Sequence, residues 1–458
     1  MLQASEYHIR DYLYWYQHAK DFRRVEQRKH FVPTSKSLVL LAATWLVALA
    51  MIAGVIALGM QEKRPEVIVL SIGALLLIPF LLPYLLLVPL LLIKWLIQYP
   101  TEYFVGRAIK TKLNAHPGLK IAVAGSFGKT SMREILTTVL AEGKIVVAPS
   151  HNHNTLFGIS QFTKTLTGKE AVIVFELGEY YPGDVRKLCK LVQPTMGVIT
   201  GINEAHLQRF KTLARTAATI YELADYLGDR PLYINGDSEL ALQHGRPGNI
   251  VYTSHSVGHW LIEDPHTDLT GTSFVIKNEH TTLALKSQLL GLHQIGPLAA
   301  AVAIAFSLGL TVEQIRNGIS KTKPFDHRLE PRTDSAGVIT LDDSYNGNPN
   351  GVKAVIDFLA GLSGHRRFYV TPGLVEMGNQ TQMVHQVIGR QLADAQIEVV
   401  ILIRNSVTPF IAQGLEQAHF TGKLFWFDDA LQAFAALPQL TVSGDIVLLQ
   451  NDWPDQYQ

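Results

Sequence analysis

The chain has 458 residues, 47% of them hydrophobic, and its 40 lysines and arginines nearly balance 39 aspartates and glutamates for a net charge of +1. That length accommodates two or three domains of about 100–200 residues, and the balanced charge excludes both the basic footprint of a nucleic-acid binder and an acidic tail. The single cysteine, Cys189, excludes a disulfide framework and a cysteine-rich zinc site and suits a reducing cytoplasm.

The hydrophobic excess lies near the N-terminus. Residues 38–60 and 67–93 are apolar runs without a charge, each longer than the about 20 helical residues that a bilayer core of about 30 Å requires. The connector, 61–66, has room only for a tight turn. Residues 1–115 are therefore predicted to form a membrane anchor with a transmembrane helical hairpin. Pro79, Pro83 and Pro89 predict a kink or a re-entrant path in the second run, because each proline frees a backbone carbonyl. A cleaved signal peptide fits poorly, since a long polar segment precedes the first run. Arg10, Lys20, Arg23, Arg24, Arg28, Lys29 and Lys36 precede the hairpin, and Lys94, Arg107, Lys110 and Lys112 follow it; the turn has only Lys63 and Arg64. Positive-inside bias puts both ends in the cytoplasm, giving a multi-pass plasma-membrane protein with the domains after the hairpin on the cytoplasmic face. The stretch 12–30, aromatic and then basic, could lie along the membrane surface.

After Pro117 short apolar runs alternate with helical patterns. Residues 121–124, 171–175, 197–200, 231–234, 338–341, 368–371, 399–403 and 445–449 read as buried strands. Such alternation predicts an α/β architecture with largely parallel sheets. A break near 324–331 separates a central domain, 116–325, from a C-terminal domain, 326–458. Residues 249–287, alternating and rich in Thr and His, read as antiparallel strands.

The run Gly125-Ser126-Phe127-Gly128-Lys129-Thr130-Ser131 leads from an apolar strand through a glycine turn into a helix that includes 132–140. In that setting backbone N–H groups and the helix N-terminus cradle phosphate. Lys129 is placed to reach the β- and γ-phosphates, and the Thr130 hydroxyl is placed at Mg²⁺. The reading is therefore ATP or GTP binding. Farther on, Glu176 ends a buried strand, where α/β proteins place ligand groups, and His206 follows the next strand. Glu176 and His206 could complete a Mg²⁺ site with Thr130, although Mg²⁺ prefers oxygen over imidazole. His151 and His153, alternate residues of an extended segment, face opposite ways and make poor joint ligands.

These segments, with 152–158, 176–184, 203–210, 235–237, 291–293, 327–330, 342–349 and 373–378, occur in the order found in the Mur ligase family, which the chain resembles over about 120–449. Asp342-Asp343-Ser344-Tyr345-Asn346-Gly347-Asn348-Pro349 resembles the branch that joins D-alanyl-D-alanine to a UDP-muramoyl tripeptide. The resemblance implies a central P-loop ATPase domain, a Rossmann-like C-terminal domain, and an ATP- and Mg²⁺-dependent acid–amino-acid ligase of cell-wall precursor synthesis. It implies that Gly125 to Ser131 and Asn154 meet the nucleotide, and that Thr130, Glu176 and His206 serve Mg²⁺. Arg328, at the interdomain hinge, and Asp343, Tyr345 and Asn346 are implied to reach nucleotide from the C-terminal domain, with Asn346 and Asn348 at the substrate. Lys129, Glu176, His206 and Arg328 form the implied catalytic set.

Several positions depart from the family pattern. Ile220 stands where a carbamylated lysine is usual, leaving Thr219 and Glu222 as the nearest substitutes. Pro297 replaces a nucleotide-contacting asparagine, and Gln450-Asn451-Asp452-Trp453-Pro454 replaces a basic, serine-containing loop. The membrane anchor stands in place of a UDP-gripping domain, so the muramoyl-peptide precursor is expected to be UDP- or lipid-linked. Membrane lipid and other membrane-associated precursor enzymes are the expected surroundings. Two alternatives remain open: a related membrane ligase using another amino acid or a polymer acceptor, and a non-catalytic nucleotide-binding membrane scaffold.

Overall fold

The computed structural model describes residues 7–18, 33–61, 64–150, 153–204, 207–344, 347–375 and 377–451. Two compact units divide between Val105 and Gly106.

In the first unit, the helix Ile9–His18 precedes an unbroken helix, Ser35–Gln61, which encloses the first apolar run. The second run is not one straight helix. It continues through Pro79 and Pro83 as Pro65–Leu85, breaks at Leu86, and resumes as Leu87–Ile93. The break has a local cause: Pro89 has no N–H for the Leu85 carbonyl, and its ring crowds that oxygen. One turn before the break, the Tyr12 hydroxyl donates to the Pro83 carbonyl at 3.1 Å. A π-helical turn, Lys94–Gln98, then leads into the helix Tyr99–Ala115. By length and composition, Ser35–Gln61 and Phe80–Ala115 are each able to cross a membrane, and only 17% and 11% of their most apolar windows are buried.

The second unit contains two sheets. Its first ten strands are β1 (Leu119–Ala124), β2 (Val146–Val147), β3 (Val172–Glu176), β4 (Met196–Ile199), β5 (Leu232–Asn235), β6 (Ile250–Tyr252), β7 (Ser256–Val257), β8 (Trp260–Asp268), β9 (Gly271–Lys277) and β10 (Thr282–Ser287). They form one sheet in the order β10-β9-β8-β7-β6-β5-β4-β1-β3-β2. The sheet is parallel from β2 to β6 and antiparallel from β6 to β10. The expected antiparallel block is thus an extension of the parallel sheet, with β6 belonging to the parallel part.

The remaining strands are β11 (Glu330–Thr333), β12 (Ile339–Asp343), β13 (Arg367–Thr371), β14 (Val399–Ile403), β15 (Lys423–Phe427) and β16 (Ile446–Gln450), ordered β11-β12-β16-β13-β14-β15. Only β11 is antiparallel to its neighbour.

The central core packs the helices Lys129–Leu140 and Ile295–Ser307 on the first sheet, burying Met132, Ile135, Leu136, Leu298 and Val302. Small residues permit this closeness: a Cβ on Gly318, in the helix Val312–Lys321, would lie 2.7 Å from the Val139 Cα. The helix that begins at Lys129 is therefore wedged between sheet and helices, so the loop before it has a fixed support.

Candidate active site

The chain runs from β1 to β3 on one side and then crosses to β4 on the other, so the C-terminal end of β1 is a topological switch point, where α/β sheets bind ligands. Residues 125–131 occupy this point. Register places Glu176 beside Val123, and Ile199 beside Ala124. The ends of three strands therefore meet at the loop.

Gly125 has φ +145°, and a Cβ there would lie 2.2 Å from Thr200 Oγ1 and 3.0 Å from the Gly201 carbonyl oxygen. Only glycine lets the chain cross the end of β4 so closely. The Ser126 N–H donates to the Gly201 carbonyl at 2.8 Å, and the Thr200 hydroxyl donates to the Phe127 carbonyl. The Asn235 amide holds the Thr200 carbonyl at 2.8 Å. Gly128, at φ 72°, starts the helix Lys129–Leu140 without a side-chain cap, so first-turn N–H groups face the loop. The Ser126 hydroxyl oxygen is buried and has no hydrogen-bond partner. An orphaned hydroxyl beside helix-start amides fits an anionic oxygen ligand.

Four charged side chains converge here. Lys129 Nζ lies 2.7 Å from Glu179 Oε1 and also donates to the Gly125 carbonyl. Burial disfavours the ammonium, but Glu179 and Glu176 outweigh that cost and hold its pKa above the ordinary lysine value. Thr130 Oγ1 donates to Glu176 Oε2 at 3.0 Å, and Arg133 Nη1 approaches the same oxygen at 3.4 Å. Arg133, 2% exposed, also donates to the Pro149 carbonyl at 3.1 Å and the Glu134 carboxylate at 2.6 Å. The hydroxyl–carboxylate pair of Thr130 and Glu176 suits Mg²⁺, which takes one or two protein oxygens and fills its remaining positions with water and substrate phosphate.

Lys129, Thr130 and Glu176 are therefore brought together at the end of β1. Asn154 packs against Gly178, where a Cβ would lie 3.1 Å from the Asn154 Cγ, and Thr155 caps the helix Leu156–Thr165. His206, Tyr345 and Asn346 lie outside the described residues. Ile220 is fully buried. Neither neighbour replaces a lysine carbamate: the Thr219 hydroxyl donates to the Arg215 carbonyl at 2.8 Å, and the Glu222 carboxylate accepts the Arg186 N–H at 2.9 Å. Sequence reasoning missed Arg133, Glu179 and Thr200. Glu179 carried one signal, a charged residue shortly after a buried strand.

The C-terminal sheet presents a second group at the ends of β12 and β16. Asn348 caps the helix Pro349–Gly361 through the Gly351 N–H and accepts from the Asn203 amide at 2.8 Å. Asn203 also donates to Asn350 at 3.0 Å, so the loop after β4 is tied to the loop after β12. Arg328 lies between two left-handed residues, His327 at φ 61° and Leu329 at φ 46°, a strained setting of the kind found at functional sites. Gln450 donates to the Asp343 carboxylate at 2.6 Å. Burial pushes the Asp343 carboxyl up to about 6, against the opposing Arg328 charge and the Gln450 hydrogen bond. A carboxyl whose folded pKa is raised contributes most to stability below its unfolded value of 3.8 and loses that contribution as pH rises through about 6. Ionised Asp343 should then cost on the order of 2–3 kcal/mol near neutrality. Asp343→Asn is expected to raise the melting temperature at pH 8, with the gain vanishing near pH 4. An equal gain at both pH values would count against this origin.

Residues 123–305 match the Mur ligase middle domain and residues 327–450 match the Mur ligase, glutamate ligase domain. Among curated relatives, the UDP-N-acetylmuramoyl-tripeptide–D-alanyl-D-alanine ligase of Haemophilus influenzae is 26% identical over 330 residues, 70% of each chain. The enzyme of that name from Bacillus subtilis is 25% identical over 340 residues, 72% of each chain. Among solved structures, MurF from Acinetobacter baumannii superposes with a TM-score of 0.68 at 20% identity, covering 77% of each chain. MurF ligase from Thermotoga maritima in complex with ADP gives 0.67 at 22% identity, covering 77% of this chain and 80% of that one.

Proposed function

We propose that this chain, which belongs to the Mur ligase family, is an ATP-dependent ligase that joins D-alanyl-D-alanine to the carboxylate of a muramoyl tripeptide. The observation that carries this reading is the convergence of Lys129, Thr130 and Glu176 at the end of β1, with Thr130 Oγ1 3.0 Å from Glu176, in a chain whose relatives bear that activity in their name.

A carboxylate does not condense with an amine in neutral water. Its oxygen first attacks the γ-phosphate of ATP, forming an acyl phosphate and ADP. The amine then attacks the acyl carbon, and phosphate leaves with the bond it held. The loop amides and the Ser126 hydroxyl bind phosphate oxygens, and Lys129 balances the charge that spreads over the transferring group. Thr130 and Glu176 would hold Mg²⁺, which neutralises phosphate charge when bound. Arg133, 3.4 Å from the same Glu176 oxygen, helps to fix that carboxylate.

The helical hairpin supports a place at the membrane. Leu46, Leu58, Met60, Leu70, Phe80 and Trp95 are each more than half exposed. In a soluble protein, helices this apolar would be largely buried. In this reading the catalytic unit works at the cytoplasmic face and takes its muramoyl substrate in lipid-linked form.

One assay tests both parts. Salt-washed membranes from expressing cells, given ATP and Mg²⁺, are expected to release phosphate only when D-Ala-D-Ala and a muramoyl tripeptide are both present. The product should be heavier by the dipeptide less one water, and lipid-linked tripeptide should turn over faster than UDP-linked. Activity that leaves with the wash would overturn the membrane reading; no stimulation by either acceptor would overturn the ligase reading.

A further inference from the structure

Lys129 is the cation expected to bind phosphate, yet protein atoms already hold its ammonium. Nζ lies 2.7 Å from Glu179 Oε1 and donates to the Gly125 carbonyl, which folds the side chain back onto its own loop. Glu179 is 3% exposed, so this is not a solvated surface pair. The other carboxylate of the site is held by different groups, since Glu176 accepts from Thr130 at 3.0 Å and faces Arg133 at 3.4 Å. Glu179 is thus the carboxylate in direct contact with the Lys129 ammonium. Its oxygen presents to the ammonium what a phosphate oxygen presents: an anionic acceptor at charge-assisted hydrogen-bond distance.

We infer that Glu179 is a positioning residue that stands in for the terminal phosphate on Lys129 between turnovers, and that nucleotide binding exchanges one anionic partner of the lysine for the other. This rests on the nucleotide-binding reading of residues 125–131. The exchange has two physical consequences. Phosphate gains only the difference between its own attraction for Lys129 and that of Glu179, so the carboxylate weakens nucleotide binding. The penalty is the same for both nucleotides, but it leaves the diphosphate with the smaller surplus. ATP brings a γ-phosphate to the lysine, whereas ADP offers only its β-phosphate and competes less well. After phosphoryl transfer Glu179 recovers Lys129 and speeds the departure of ADP.

Calorimetric titration of the full-length, detergent-solubilised protein with ADP and with a non-hydrolysable ATP analogue tests this, in EDTA so that no metal bridges carboxylate and phosphate. Glu179→Gln keeps the shape and removes the charge. It is expected to bind ADP and the ATP analogue each about ten-fold more tightly, because one buried anionic competitor has gone. Glu179→Asp should restore affinities close to those of the unaltered chain. In steady-state assays with Mg²⁺, Glu179→Gln should lower both KM for ATP and kcat, a split that a purely structural defect does not produce. In a Lys129→Met background, Glu179→Gln should leave nucleotide affinity unchanged. Weaker binding in Glu179→Gln, or an equal gain without Lys129, overturns the inference. Failure of the unaltered chain to bind either nucleotide overturns the nucleotide-binding reading together with the inference.

Discussion

Lys129→Ala is expected to lower kcat for acceptor-dependent phosphate release by about 10³-fold, the scale set by removing a preorganised charge from a developing transition state. The geometry gives the reason. Lys129 is the cation that contacts the loop itself, through the Gly125 carbonyl, whereas Arg133 is directed to Glu176, Glu134 and the Pro149 carbonyl. No rearrangement of Arg133 replaces the lysine without breaking those contacts. The substitution also takes the ammonium away from Glu179, which is 3% exposed, and a buried carboxylate that loses its ion-pair partner destabilises in its own right. Lys129→Met combined with Glu179→Gln removes both charges and separates the effects. The double variant should melt near the unaltered chain and remain inactive. Turnover within ten-fold of normal in the double variant would remove Lys129 from the phosphoryl-transfer step.

Gly125→Ala should abolish nucleotide binding and destabilise the central domain by roughly 2–4 kcal/mol, from backbone strain and overpacking together. Residue 125 has φ +145°, and its new methyl would meet Thr200 Oγ1 at 2.2 Å and the Gly201 carbonyl at 3.0 Å. Those atoms cannot yield cheaply. Thr200 is tied to the Phe127 carbonyl and its carbonyl to Asn235, while the Gly201 carbonyl accepts the Ser126 N–H. Relief must come from moving the loop, which carries the Ser126 hydroxyl and Lys129 away from any bound phosphate. Nucleotide titration together with denaturant unfolding reads both effects. Normal affinity in a folded Gly125→Ala protein would mean that phosphate is not cradled by this loop.

The strands buried on both faces were the most legible part of the fold. Each of the eight apolar runs corresponds to a strand, with ends shifted by no more than two residues, as for β1, β3 and β12. Parallel strands covered on both faces are continuous apolar runs, and that signal survives without tertiary information. Two of the strands not anticipated lack it, since β2 has two residues and β11 is Glu-Pro-Arg-Thr. The third, β15, has the apolar run Leu424-Phe425-Trp426-Phe427 but is a partly exposed edge strand beginning at Lys423. The break at Leu86 was implied by the prolines, but its position was not.

At the site, the phosphate loop was legible from the residues alone, because a glycine turn between an apolar strand and a helix is a local property. So was the projection of Lys129 and Thr130 from the helix start. Tertiary structure alone decided which partners those side chains find. Glu176 and Glu179 lie 46 and 50 residues from Thr130 and Lys129, and Thr200 lies 73 from Phe127. They meet because β3 and β4 flank β1 on opposite sides, an order that no local periodicity encodes. Arg133 reads in sequence as one charge on an amphipathic helix; only the packed structure turns it inward to Glu176. Ile220 shows the same division. Sequence marked it as unable to bind a metal, and packing then committed Thr219 and Glu222 to Arg215 and Arg186. A charge acquires a function from the charge it faces, and that pairing is settled by strand order.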